Sequence, residues 1–192
     1  MIRKLVCMTA LLLGLQTAGA AEVAEKYAAA ERDFRAASGT AKFFAEAYGY
    51  ALFPTVGKGG IGVGGAFGKG RVYRAGLHTG DASVAQLSIG FQFGGQAYSQ
   101  IIFFEDDLAY DRFTSGSFEF GAEASAVALT LGAQARAGTL GASASGNESG
   151  SGDASATGNW SAGVIVFTLA RGGLMYEASI AGQKFCFRPV GD

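Results

Sequence analysis

The chain has 192 residues, enough for one domain with a real core. Hydrophobic residues make up 49%, which excludes a disordered chain, and two prolines against 31 glycines exclude a proline-rich linker protein. With 15 basic and 16 acidic residues, no global basic character points to nucleic acid.

The first twenty residues, MIRKLVCMTALLLGLQTAGA, place Arg3 and Lys4 before an apolar run that ends in Ala18-Gly19-Ala20. That is the pattern of a secretory signal peptide cleaved after Ala20, and the run is too short for a spanning anchor. Cys7 sits inside the apolar run and not directly after the cleavage point, so the protein is not expected to be a lipoprotein. The expectation is a periplasmic or secreted mature chain, 21–192, forming a single domain. Loss of Arg3 and Lys4 leaves 13 bases against 16 acids, a net charge of −3. Cys186 is then the one remaining cysteine, so no internal disulfide can form.

Residues 22–37 read as a helix, with Val23, Tyr27, Ala30 and Phe34 on one stripe. Ser38-Gly39-Thr40 breaks it and offers a cap for the next. Residues 41–53 read as a second helix, ended by Pro54. Lys42, Glu46 and Gly49 occupy one narrow sector, while apolar residues cover most of the remaining circumference. Such a helix is buried in protein or in lipid; Lys42, Phe43, Phe44 and Tyr48 are the residues that would touch a membrane. Wide apolar faces more often mark helices packed on a core.

From Ile61 the period becomes two. RVYRAG reads as a strand, as does Leu87–Phe93, where Leu87, Ile89, Phe91 and Phe93 alternate with small and polar residues. QAYSQIIFFE is the next strand, and DDLAYDRF (106–113) a short helix with acids in its first turn. FEFGAEASAVALTLGAQA is read as strand, and 138–159 as a mobile Gly/Ser/Ala-rich loop. GVIVFTLA forms a strand, Arg171-Gly172-Gly173 a turn, and Leu174–Ile180 alternates again. In KFCFR, Phe185 and Phe187 share one face and Cys186 lies with Lys184 and Arg188 on the other. Two helices followed by short strands and glycine turns predict an α+β fold: a mainly antiparallel, curved or barrel-like sheet with N-terminal helices packed on it.

The segment FPTVGKGGIGVGGAFGKGRVY contains a formal GxGxxG at Gly60, Gly62 and Gly65. A dinucleotide fingerprint needs a strand before the glycines and a helix after them. Here a strand follows, and Val63 and Gly70 break the phosphate-loop pattern. Order of residues points elsewhere: AYGYALFPTVGKGGIGVGGAFGKGRVY, LSIGFQFGGQAYSQIIFF, FEFGAEASAVA and GGLMYEASIAG, in succession over about 40–185, resemble the SYLF domain family. Arg171-Gly172-Gly173 departs from the family's usual Lys-Gly pair. The resemblance implies a lipid-binding module: eukaryotic members bind phosphoinositide-containing membranes through basic residues and an N-terminal amphipathic segment, one fungal group binds actin, and bacterial members are exported.

The residues support an anionic-lipid reading independently. Between Ala47 and Gly80 there is no acid, while Lys58, Lys69, Arg71 and Arg74 supply four positive charges beside glycine turns whose N–H groups suit a phosphate. The bland alternative is four bases that keep strand edges soluble. Catalysis is not expected: His78 has no sequence partner for a nucleophile, neither HExxH nor CxxC occurs, and Glu105, Asp106, Asp107 and Asp111 fit helix capping better than calcium. No cofactor or metal is implied. The expected function is an exported module that binds anionic phospholipid or phosphoinositide-like headgroups at a membrane surface. The alternatives are a small outer-membrane barrel or an envelope protein-interaction module.

Overall fold

The computed structural model describes residues 2–37, 39–61, 63–89, 96–120, 128–131, 160–171 and 182–191. Helix α1 spans Ile2–Ala36 and α2 spans Ala41–Glu46. Strands β1 (Gly49–Ile61), β2 (Val63–Arg74), β3 (Leu77–Ile89) and β4 (Gln96–Phe104) follow. After helix α3 (Asp107–Thr114) come β5 (Ser117–Glu119), β6 (Ala128–Leu131), β7 (Val164–Arg171) and β8 (Gln183–Pro189). The fold is α+β, as expected. The loop expected over 138–159, the turn expected at Gly172-Gly173 and the alternation of Leu174–Ile180 fall outside the described residues.

The strands form one sheet in the order β5-β8-β3-β2-β1-β4-β7-β6, antiparallel throughout except for the parallel pair β6·β7. The sheet is curled. Gln100 on β4 donates to Gln183 Oε1 on β8 at 2.9 Å, although β1, β2 and β3 lie between those strands. Laid flat, four strand spacings would separate them by about 19 Å. Glycine makes the curl possible on the inner face: a Cβ at Gly70 would stand 2.6 Å from the Phe53 ring, and one at Gly80 would overlap the Phe187 ring.

The second helix ends earlier than the sequence suggests. Gly49 to Phe53 belong to β1, where Tyr50 and Leu52 face outward to the helices while Ala51 and Phe53 face into the curl. The apolar circumference read as a buried helix is a strand covered on both faces. Such a strand loses its period-two signature because both sets of side chains are buried. IIFF (101–104) on β4 pairs with it and VIVF (164–167) on β7 pairs with IIFF, Leu52 opposite Ile101 and Ile101 opposite Phe167. The tripeptide between the helices also works differently: the Thr40 hydroxyl donates back to the carbonyls of Phe34 and Ala37, closing α1 and not capping α2.

Two apolar clusters result. The outer one joins Ala30 and Phe34 of α1 and Phe43 of α2 to Tyr50, Leu52, Ile101, Phe103, Ile165 and Phe167. The inner one is closed by α3, whose Phe113 ring meets Phe104, Phe118 and Phe185 at 4.9, 5.5 and 5.2 Å. Asp106 caps α3 by accepting from the Ala109 N–H at 2.8 Å, the role expected of it. The helices cover β1, β4 and β7, and the outer faces of β2, β3 and β8 are left with alternating exposed residues. Cys186 is exposed there, as its strand parity predicts.

Candidate functional site

The curled sheet divides the four bases of the acid-free segment between its two faces. Lys58 lies on β1 opposite Ala66, on the inner side and half-buried. Arg74, at the end of β2, shares that side and stands 5.5 Å over the Tyr110 ring. Lys69 and Arg71 point outward, as the alternation of β2 requires. Arg71 is already engaged: its guanidinium lies 4.4 Å from the Tyr27 ring and its Nε 3.9 Å from Asp81 Oδ1. Asp81 in turn sits 3.1 Å from His78 Nε2. His78 is a strand-start residue just beyond the Ala75–Gly76 turn, its Nε2 3.0 Å from the Gly80 carbonyl oxygen and 3.1 Å from Asp81 Oδ1.

Lys69 is exposed, and a residue outside the acid-free segment joins it. Val23, Lys26 and Tyr27 of α1, Pro54, Thr55 and Gly57 of β1, and Phe67, Gly68 and Lys69 of β2 line a cleft of about 350 Å³. That volume lies within the range of small-ligand sites, roughly 300–1,000 Å³. No lining residue is acidic. Val23 and Phe67 remain 47% and 58% exposed at its rim, and Leu87 on β3, opposite Gly65, is 84% exposed nearby on the same face. Burial raises the Tyr27 phenol pKa above its ordinary value, partly offset by Arg71. Lys26 escaped the sequence reading because it belongs to a helix with mixed charge; its place three residues after Val23, at the edge of the stripe that docks, was the available signal.

The four residues nominated on the second helix also separate. Phe43 is buried against Phe103, Trp160 and Phe167, with ring centroids 5.8, 5.3 and 5.3 Å away. Phe44 is half-buried against Tyr50 and Phe103, with Arg35 4.0 Å over its ring. Lys42 is exposed, its ammonium 4.6 Å over Phe43, and Tyr48 is partly exposed beside Tyr110. The helix packs on the sheet through its phenylalanines. Gly60 lies on β1 and Gly65 on β2, so a strand and not a helix follows the glycines. Among the described residues no three His, Cys, Asp or Glu side chains are grouped to hold a metal ion. No described helix is long and apolar enough to cross a membrane.

These features define an α+β half-barrel with helices on one half of its outer face and a basic, apolar-rimmed cleft where they stop. The chain belongs to the Ysc84 (SYLF) family: residues 85–189, more than half of it, match the family described as Las17-binding protein actin regulator. The match begins within β3, so the cleft and all four nominated bases precede it, whereas the quoted motifs begin near residue 40. No curated protein matches the chain.

Proposed function

We propose that the protein is an exported, non-catalytic module that binds anionic phospholipid at a membrane surface, with residues 1–20 removed as a signal peptide. The observation that carries this reading is the cleft, where Lys26 and Lys69 stand with exposed Val23 and Phe67 and no acidic residue among the lining. A bilayer surface presents the complementary pair, phosphate above and hydrocarbon below. Lys58 and Arg74, on the other side of the sheet, add to the local field without sharing that contact. Membership of the SYLF family, whose resemblance implies lipid binding, points the same way.

Sedimentation with phosphatidylglycerol or cardiolipin vesicles tests it. Binding is expected at low salt, weak in 0.5 M salt and absent with phosphatidylcholine; equal binding to the neutral vesicles, or none to the anionic ones, overturns it. Charge reversal at Lys58 and Lys69 together should remove most of the binding with the circular dichroism spectrum unchanged. For export, mass spectrometry of the secreted protein should give a chain starting at Ala21, and retention of residues 1–20 refutes that part. A protein partner is the second reading, favoured by the family's description as a Las17-binding actin regulator.

A further inference from the structure

We infer that the cleft between α1 and the β1–β2 hairpin is a discrete site for one phosphate-bearing lipid headgroup, held between the ammonium groups of Lys26 and Lys69 with Val23 and Phe67 against the adjoining acyl region. This rests on the lipid-binding reading and adds to it a place and a new binding residue, Lys26.

The argument is one of complementarity. Two cations reach one concavity from separate elements, α1 and β2. Among the described residues neither ammonium is paired with a carboxylate; of the acids nearby, Glu25 bonds Arg32 at 2.7 Å and Asp81 sits between His78 and Arg71. Two uncompensated ammonium groups on one small cavity repel each other, and a phosphate between them converts that repulsion into two charge-assisted contacts. The floor has room: a Cβ built at Gly57 meets nothing within 4 Å. The rim is apolar on both sides, Val23 from the helix and Phe67 from the strand. A free phosphate ester offers the first half of this match, and only a lipid offers both.

The test compares variants of equal charge on opposite faces of the sheet. With phosphatidylglycerol vesicles at low salt, Lys26→Gln and Lys69→Gln should each weaken binding about fivefold, and the pair at least tenfold. Lys58→Gln with Arg74→Gln, the same loss of charge on the inner side, should cost threefold at most. Gly57→Gln fills the cleft without changing charge and should weaken binding as much as the cleft pair, with an unchanged melting temperature. Gly59→Gln, two residues further on and also free of neighbours within 4 Å, should bind as the wild type does. Equal losses for the Lys26/Lys69 pair and the Lys58/Arg74 pair, or no effect of Gly57→Gln in a folded protein, refute the cleft while leaving lipid binding intact. Failure of the wild type to bind any anionic vesicle refutes both. Soluble glycerol phosphate at millimolar concentration should not displace the protein from vesicles; displacement would show that the phosphate suffices and refute the contact by Val23 and Phe67.

Discussion

Truncation of Phe43 to alanine distinguishes a helix that holds the core from one that reaches into lipid. The side chain is 1% exposed and its ring meets three others within 6 Å, one of them edge-on to Trp160 at an interplanar angle of 90°. Phe→Ala at such a site costs about 3–5 kcal/mol, to which each aromatic pair contributes roughly 0.5–1.5 kcal/mol. A domain of this size has a total stability of about 5–15 kcal/mol, so the variant loses a large fraction of it. With a urea dependence of about 2 kcal/mol per molar, the unfolding midpoint should fall by about 2 M. Trp160 is the chain's single tryptophan, so its fluorescence reports the packing directly during the titration. Tyr48→Ala, at a 38% exposed position, serves as control and should cost less than about 1 kcal/mol. A Phe43→Ala protein with an unmoved midpoint and unaltered Trp160 emission, but with vesicle binding lost, would refute the packing argument and make the helix a membrane contact.

Two further outcomes follow from the inner face. Gly80→Ala should destabilise by about 1–3 kcal/mol, since the new methyl overlaps the Phe187 ring and lies 2.5 Å from the Arg188 carbonyl oxygen; Gly57→Ala, with open space, should change the melting temperature little, and equal effects would contradict the glycine account of the curl. Burial pushes the Tyr98 phenol pKa up to about 12, against the partial help its phenolate would take from Gln183. Because the folded value lies above the unfolded value of 10, this group's contribution to stability is complete below pH 10 and is lost as pH rises from there toward 12. Alkaline denaturation of Tyr98→Phe should accordingly begin at higher pH than that of the wild type, and an identical profile would refute the assignment.

Local residue patterns were enough for several elements. The stripe Val23, Tyr27, Ala30, Phe34 marked the docking edge of α1, Asp106 announced α3, and the parity of KFCFR put Phe185 inside and Cys186 outside. These features depend on neighbours a few residues apart, whose geometry the backbone period dictates. What the tertiary structure decided was which faces are covered. YALF was read as helix because a strand buried on both sides carries no alternation, and only pairing with IIFF on one flank and β2 on the other reveals it. The four bases, which share one acid-free segment of the sequence, separate because a curled sheet sends alternate residues to opposite surfaces, and a bulge between Leu52 and Thr55 resets that alternation before Lys58. Lys26 meets Lys69 for the converse reason: α1 crosses the sheet where β2 emerges from beneath the helices, bringing into one cleft two side chains that nothing along the chain connects.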